Sequence, residues 1–164
     1  MAFSFQNEVT SSHNILIFSG AIDERADFST IQLTDGKELI IDLEKVNRIN
    51  SLGLRNWIKW IRSLKSYMIT LRKCPNIFIN QMNILEGFFP SNSIIESFQV
   101  PYTCDGCGLQ TITLARRGED YCEATADRPE QINIPPIIKC DKCGGSSVVD
   151  IVFTKHFDFL KNRQ

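Results

Sequence analysis

Two Cys-x-x-Cys-Gly motifs, at residues 104–108 and 140–144, constrain the fold of this chain more than any other feature of its sequence. In each motif the two thiolates can bind one metal ion, while the glycine can take the positive φ that turns backbone N–H groups toward the sulfurs. Two motifs supply the ligands of a closed tetrahedral zinc site, which leaves no position for water or substrate. We therefore predict one structural Zn²⁺ per chain, bound by Cys104, Cys107, Cys140 and Cys143. A pair of disulfides is the alternative interpretation of this spacing.

Other sequence features indicate a reducing compartment. The N-terminus lacks the basic start and apolar run of a signal peptide, and no apolar stretch approaches the roughly 20 residues of a membrane span. We therefore expect a cytoplasmic protein without a membrane partner, in which cysteines serve as metal ligands. Cys74 and Cys122 lie outside the two motifs and are expected to be small buried hydrophobic residues.

Length and charge limit the organisation of the chain and its partners. A chain of 164 residues can form a domain of about 100 residues together with a small metal-stabilised module. The sequence has 18 basic and 19 acidic side chains, and four metal-bound thiolates would make the module more negative. Strong binding to nucleic acid is therefore disfavoured.

Alternating strand and helix patterns predict an α/β fold with a mostly parallel sheet and helices packed against it. Strand patterns occur at residues 14–19, 38–43, 67–71 and 93–100. Helical patterns occur at residues 24–33, 50–66, 79–87 and 151–162. We predict a first domain of residues 1–101, to which a C-terminal helix at 151–164 returns, and a zinc ribbon at residues 102–150.

The predicted helix at 50–66 has two different faces. Its apolar stripe, expected to pack on the sheet, contains Leu54, Trp57, Ile58, Ile61 and Leu64. Arg55, Lys59 and Arg62 share the opposite side, which is either a solvated helix face or a partner-binding surface. Trp60 flanks the apolar stripe and is either an interface anchor or a cap on the edge of the core.

Three segments, at residues 20–23, 39–43 and 46–54, resemble parts of a STAS domain, the fold of bacterial anti-sigma-factor antagonists. The resemblance covers roughly residues 10–100. Its most specific part is the strand-to-helix junction at residues 49–54, which is similar to the family's Asp-Ser-Ser/Thr-Gly-Leu. The resemblance implies a signalling domain that binds a regulatory kinase or an anti-sigma-like protein.

This sequence departs from the family pattern at the phosphorylated position. The family's acceptor is the serine or threonine just before the glycine, and Leu52 stands there in this chain. The nearest hydroxyl belongs to Ser51, which is a candidate phosphosite or, alternatively, the N-cap of the helix. A phosphate on Ser51 would lie at a helix N-terminus near Arg55, which is a favourable place for negative charge. The resemblance therefore implies a binding domain without assured phosphoregulation.

We expect a non-catalytic regulatory module that binds a protein partner. The expected partner surface consists of Ser51, Arg55, Lys59, Trp60 and Arg62. The alternative is a nucleic-acid-associated protein that binds through the ribbon, with contacts from Arg116, Arg117, Tyr121, Lys139 and Lys142. An enzyme is disfavoured because the sequence contains no catalytic triad pattern or glycine-rich phosphate loop, and neither His13 nor His156 lies in a motif.

Overall fold

The computed structural model describes residues 1–85, 87–90 and 93–161. The N-terminal part forms a five-stranded sheet whose strands lie side by side in chain order. These strands are β1 (Ser4–Val9), β2 (His13–Ile22), β3 (Glu38–Ile49), β4 (Ile69–Arg72) and β5 (Ser93–Ile95). β1 is antiparallel to β2, and the other neighbouring pairs are parallel, so the sheet is mixed.

Two helices connect the parallel strands of this sheet. α1 (Ser51–Ser63) lies between β3 and β4, and α2 (Asn76–Ile84) lies between β4 and β5. α1 buries Trp57 and Ile61, which belong to the predicted apolar stripe. In the part of the chain that the structure describes, no helix is both long and apolar enough to cross a membrane.

The start of α1 lies unusually close to the end of β2. The backbone N–H of Asn50 donates to the carbonyl of Ile22 at 3.1 Å. A Cβ atom at Gly53 would lie only 2.0 Å from that carbonyl oxygen, which is a backbone atom and cannot rotate away. Glycine is therefore required here for space, because the first turn of the helix is pressed against the sheet.

A second sheet of four antiparallel strands follows the first, in the order β10–β11–β6–β7. Its strands are β6 (Ser97–Cys104), β7 (Gln110–Arg116), β10 (Ile137–Lys139) and β11 (Ser146–Val149). A separate two-stranded ribbon consists of β8 (Tyr121–Cys122) and β9 (Gln131–Ile132).

One cluster of buried side chains extends across both sheets. Only Glu96 separates β5 from β6, and Cys74, just after β4, forms an isolated parallel bridge with Phe98. The ring of Phe98 lies 5.0 Å from that of Tyr121 and 5.6 Å from that of Phe159, measured between centroids. The second sheet and the C-terminal segment therefore enlarge the core that α1 and the first sheet begin.

The C-terminal segment packs on α2. It contains α3 (Phe153–His156) and a 3₁₀ turn (Asp158–Leu160), so two short turns replace the predicted long helix over residues 151–161. Residues 162–164 of that prediction lie outside the described residues. The side chain of Asn83 holds this segment in place: its Nδ2 donates to the carbonyl of His156 at 2.8 Å, and its Oδ1 accepts from the N–H of Phe159 at 2.9 Å.

The predicted STAS-like, mostly parallel α/β fold is wrong. Strands account for 42% of the structure and helices for 18%, with one mixed and one antiparallel sheet. The predicted helix at 24–33 is an irregular segment, in which the Asp27 carboxylate accepts bonds from the N–H and the hydroxyl of Ser29. Such local side-chain bonds compete with helical backbone bonds. The predicted strand at 93–100 divides into β5 and β6, which belong to different sheets.

Smaller differences affect strand and helix limits. The sequence analysis did not predict β1, and β3 extends to Ile49, beyond the predicted strand at 38–43. The predicted strand at 67–71 corresponds to β4, and the predicted helix at 79–87 begins earlier, as α2; residue 86 lies outside the described residues.

Candidate metal centre

The two Cys-x-x-Cys-Gly motifs form similar tight turns at one end of the second sheet. The first turn follows β6, and the second connects β10 to β11. In each turn the glycine N–H donates to the carbonyl of the first cysteine at 2.9 Å, from Gly108 to Cys104 and from Gly144 to Cys140. The two glycines have φ values of 69° and 73°, which confirms the predicted positive φ.

Antiparallel pairing of the strands brings the sulfur atoms of Cys104, Cys107, Cys140 and Cys143 together, and we call these residues the four-cysteine group. All four Sγ atoms lie within 4.8 Å of one another. The Sγ atoms of Cys104 and Cys143 are 3.5 Å apart, and those of Cys107 and Cys140 are 3.7 Å apart. A tetrahedral site with metal–thiolate distances of about 2.3 Å has sulfur–sulfur distances of about 3.8 Å. The four-cysteine group can therefore hold one metal ion.

The alternative of two disulfides does not describe this arrangement. The sulfur–sulfur distances of 3.5 and 3.7 Å within this group are well above the roughly 2 Å of a disulfide. Cys74 is fully buried, as predicted, whereas Cys122 is only half-buried.

The four-cysteine group has a buried side and an open side. The first cysteine of each motif is inside, with 2% of Cys104 and 3% of Cys140 exposed. The second cysteine of each motif, Cys107 or Cys143, is exposed. One pair of sulfurs therefore faces the protein and the other faces solvent.

Backbone N–H groups favour the thiolate form of both buried cysteines. The N–H groups of Cys107 and Gly106 lower the pKa of Cys104 to about 6. The pKa of Cys140 is also lowered, mainly by the N–H of Cys143 in its own turn. In each turn, backbone N–H groups therefore donate toward the sulfur of the first cysteine, as expected of a turn that binds a cation.

Cys143 behaves differently because it lies beside other sulfurs. The N–H of Gly145 favours its thiolate, but Cys104 and Cys107 outweigh this effect and raise the pKa of Cys143 to about 12. Four thiolates so close together repel one another, and a bound cation would remove this penalty. A cation bound between the sulfurs would therefore favour the thiolate form of Cys143.

The predicted partner-binding residues on α1 are mostly exposed. Asn50 is the N-cap, since its Oδ1 accepts from the N–H of Gly53 at 2.8 Å. Ser51 is therefore not the cap but the exposed first residue of the helix. We refer to the exposed residues Ser51, Arg55, Lys59 and Arg62 as the α1 surface.

Trp60 does not belong to this exposed set. It is half-buried, and its ring stacks on Phe28 with a centroid distance of 5.0 Å and an interplanar angle of 16°. Its ring also lies 5.6 Å from Phe18 and 5.5 Å from Trp57. Trp60 therefore closes the edge of the core beneath α1.

The residues considered for nucleic-acid contact differ in exposure and in pairing. Tyr121 is buried, and its hydroxyl donates to the carbonyl of Ile95, so its ring is not available to stack on a base. Arg117 is paired with Glu123 at 2.7 Å. Exposed cations from the same set are Arg116, Lys139 and Lys142.

The sequence analysis missed a row of asparagines on α2. Asn76, Asn80 and Asn83 line a groove between α2 and the C-terminal segment. Their spacing of four and then three residues places them on one face of a helix, and this signal could have identified the row. The opposite wall comes from residues about 70 positions later, and their approach could not be derived from the spacing.

Comparison with known proteins gives no relative from which a role could be transferred. No protein-family model matches the sequence, and no curated protein matches it significantly.

Proposed function

We propose that this chain is a non-catalytic module that binds a protein partner, and that one structural Zn²⁺ stabilises its second sheet. The observation that carries the proposal is the convergence of four thiol groups from two turns. With four protein ligands, the metal has no open position for water or substrate. Function is then expected to come from binding surfaces and not from metal chemistry.

Zinc is the ion that best fits these ligands. Thiolates are soft ligands, and four of them in a tetrahedral arrangement favour Zn²⁺ or an iron–sulfur centre over hard cations such as Mg²⁺ and Ca²⁺. The contacts between the two turns, 3.5 and 3.7 Å, are close to the edge of a single-ion tetrahedron. A structural zinc at this position would join the β6–β7 and β10–β11 connections.

The α1 surface is the best candidate for the partner site. The helix contains three basic and no acidic residues in the sequence SLGLRNWIKWIRS. Within the described residues, Arg55 and Lys59 form no ion pair that would neutralise them. An acidic protein surface would supply negative charge opposite these basic side chains and accelerate association.

Metal content tests the structural half of the proposal. Protein purified under reducing conditions should contain one zinc per chain by elemental analysis and by native mass spectrometry. Cys140→Ser removes one ligand and should lower the zinc content strongly, because three thiolates do not close the site. Cys122→Ser is the matched control, since Cys122 lies outside the four-cysteine group, and it should keep the full zinc content.

The opposite pattern would contradict the structural half. Purified protein with less than about half a zinc per chain is incompatible with a closed four-thiolate site. Stoichiometric iron together with the absorption of an iron–sulfur cluster would identify a redox-active iron site and would refute zinc as the bound ion.

Charge reversal tests the partner-binding half. The full-length protein is used to isolate partners from its native host, and the affinity of the recovered partner is then measured with purified components at low salt. Arg55→Glu/Lys59→Glu should weaken that affinity at least about tenfold, equivalent to about 1.4 kcal/mol, and should slow association. Both side chains are exposed, so the free energy of unfolding should change by no more than about 0.5 kcal/mol.

The control variant is Lys45→Glu/Arg116→Glu, which makes the same change in net charge at exposed positions outside α1. It should retain the partner with nearly unchanged affinity. Equal weakening by both double variants would indicate a general effect of charge, and no weakening by either would show that the basic residues of α1 form an ordinary solvated helix face.

A further inference from the structure

The strand β7 lies at one edge of the second sheet and lacks the features that usually protect an exposed edge. It pairs with β6 in an unbroken register from Gln110 to Arg116. Its sequence, QTITLAR, contains no proline, and its one charged residue, Arg116, lies at its end. Natural edge strands are commonly interrupted by proline, a charge or a bulge, or are very short. The opposite edge strand, β10, has only three residues and contains Lys139. β7 is therefore the edge of this sheet at which another strand can be added.

The ladder between β6 and β7 shows which backbone groups of β7 face outward. The N–H of Cys104 donates to the carbonyl of Leu109, just before β7, at 2.9 Å. The N–H of Arg117, just after β7, donates to the carbonyl of Glu96 at 2.9 Å. In an antiparallel pair, residues that exchange such bonds alternate with residues that do not. The odd-numbered residues of β7 therefore bond to β6, and the even-numbered residues direct their N–H and C=O groups away from the sheet.

Ile112 and Leu114 occupy the centre of this outward-facing series. Among the described residues, no group forms a hydrogen bond with the outward N–H or C=O of either residue. At the end of the strand the N–H of Arg116 is already occupied, because it donates to the carboxylate of Asp120 at 2.8 Å. The side chains of Ile112 and Leu114 lie on the same face of the sheet, 62% exposed and half-buried respectively. An added strand would therefore meet unpaired backbone groups and two apolar side chains.

We propose that β7 pairs antiparallel with β7 of a second copy of this chain, about a twofold axis at Thr113. In this register Ile112 lies opposite Leu114 of the second copy, and Leu114 lies opposite Ile112. Each of these pairs exchanges two backbone hydrogen bonds, so the outward groups of both residues are satisfied. The two Thr113 side chains lie opposite each other on the other face, where threonine pairs stabilise antiparallel strands. The second sheets of the two copies thus become one continuous sheet.

Symmetry and charge favour a second copy as the occupant of this edge. The outward-facing positions 110, 112, 114 and 116 are symmetric about position 113, so a second β7 presents its backbone groups in the matching phase. The twofold axis places Arg116 opposite the neutral Gln110 of the second copy, so like charges do not meet. A register centred on Ile112 would instead place Leu114 opposite Gln110 and would separate the apolar pairs. The register centred on Thr113 therefore combines the best apolar and electrostatic match.

The size of this contact predicts a weak dimer. One strand from each copy forms most of the contact, whereas a stable interface buries about 800 Å² on each partner. We therefore expect a dissociation constant of about 0.1–1 mM, so the dimer forms where the local concentration of the chain is high. The contact uses neither the α1 surface nor the four cysteines, and it goes beyond the proposed function.

The test follows the full-length protein, purified under reducing conditions, over a range of concentrations. Sedimentation equilibrium measures the dissociation constant, and NMR measures amide exchange with water. At a total concentration ten times the dissociation constant, mass action leaves about one fifth of the chains monomeric, so exchange at Ile112 and Leu114 should be about fivefold slower than in dilute protein. Exchange at Thr113, whose N–H already bonds to β6, should depend much less on concentration.

The register is tested with a mixture of isotope-labelled and unlabelled protein. Filtered nuclear Overhauser effects between the two copies should connect the methyl groups of Ile112 with those of Leu114. Effects that connect Ile112 only with Ile112 of the second copy would show the other register and overturn the proposed one. This measurement uses the wild-type protein and does not depend on the folding of any variant.

Two substitutions at Ile112 test the edge itself. Ile112→Pro removes one outward N–H and leaves the bonds to β6 in place, which is where proline is tolerated in a sheet. Ile112→Lys places a charge opposite the apolar Leu114 of the second copy. Each should weaken dimerisation at least about tenfold. Ile112→Val keeps the donor and Ile137→Lys adds the same charge at an exposed isoleucine of β10, so both controls should dimerise like the wild type.

Three further results would overturn the proposal. The first is a monomer at every concentration up to the solubility limit, and the second is a dimer that neither substitution at Ile112 weakens. The third is equal weakening by Ile112→Lys and Ile137→Lys, which would indicate a general effect of charge. None of these outcomes depends on whether the α1 surface binds its own partner.

Discussion

At the scale of single residues, His156 has the clearest consequence in solution. Its imidazole lies between aromatic rings, with centroid distances of 6.0 Å to Phe98 and 5.1 Å to Phe157. Burial lowers its pKa from 6.5 to about 4, because an apolar environment disfavours the charged imidazolium. The side chain is therefore neutral in the folded protein at pH 7, whereas it would protonate near pH 6.5 in the unfolded chain.

We predict that His156 makes the folded state less stable as the pH falls from 6.5 to about 4. In this window the unfolded chain binds the proton more tightly, so the contribution is fully present above pH 6.5 and is lost toward pH 4. The full effect is at most about 3–4 kcal/mol, since the two pKa values differ by about 2.5 and each pKa unit corresponds to about 1.4 kcal/mol. Urea unfolding of the wild type and of His156→Phe across this range measures it.

The two proteins share all other titrating groups, including the cysteines, so the difference between their pH profiles isolates His156. The profile of His156→Phe should be flatter than that of the wild type below pH 6.5. Parallel profiles would show that the folded protein accepts the proton at His156 without penalty.

At the scale of secondary-structure elements, the junction between β3 and α1 shows how a short polar residue fixes a helix start. Asn50 caps the helix through the N–H of Gly53 and also donates from Nδ2 to the carboxylate of Glu24 at 2.9 Å. Ser51, which the sequence analysis considered as the cap, is the first helical residue. The position of the helix start therefore depends on Asn50.

We predict that Asn50→Ala lowers the free energy of unfolding by about 1 kcal/mol, because the first turn loses its cap. Asn50→Asp keeps an acceptor at the same place and should retain most of this stability. Ser51→Ala is the neighbouring control and should stay within about 0.5 kcal/mol of the wild type. Thermal and urea unfolding measure the three variants, and a larger loss for Ser51→Ala than for Asn50→Ala would reverse the assignment of the cap.

Elements with a strong local signal could be predicted from the sequence, and elements that depend on distant pairing could not. The apolar spacing around Trp57 and Ile61 correctly indicates α1, and the continuous apolar run at 38–43 correctly indicates β3. The irregular segment at 24–33 was predicted as a helix because Asp27 can cap a helix as well as form a tight turn. Phe28 is nevertheless buried there, so the segment contributes to the core without regular structure.

The four-cysteine group and the groove between α2 and the C-terminal segment also differ in whether they could be predicted from the sequence. Cys-x-x-Cys spacing determines how two thiolates meet one metal, so the four clustered cysteines could be identified from the sequence alone. The groove at Asn76 and His156 unites residues 80 positions apart, and nothing in either local sequence indicates their approach. The antiparallel arrangement of β6 with β11 was missed for the same reason.

At the scale of the whole molecule, the four-cysteine group lies where the two turns meet at one end of the second sheet. The N–H of Asp105, in the first turn, donates to the carbonyl of Ser146, at the start of β11, at 3.0 Å. The sulfur atoms of the two turns also contact each other, at 3.5 and 3.7 Å. The opposite end of the sheet is anchored differently, because Phe98 lies in the shared core.

We predict that removal of the proposed zinc ion with a chelator loosens this end first. Amide hydrogen exchange at Asp105, Gly108 and Gly144 should accelerate by roughly a hundredfold or more, because structural zinc contributes on the order of 10 kcal/mol to the ordering of small sites. Exchange in β2 and β3, which belong to the other sheet, should change little. Uniform acceleration throughout the chain would mean that the metal stabilises the whole fold, and unchanged exchange at the two turns would mean that the turns are stable without it.

The open side of the four-cysteine group also bears on how fast a bound ion would leave. Cys107 and Cys143 face solvent, so a competing chelator could attach to the metal from that side before either buried thiolate is released. Exchange by such an associative route depends on the concentration and size of the incoming ligand. A very tightly held ion could therefore still be transferred within minutes to a small thiol chelator, and affinity alone would not describe how long the metal stays in place.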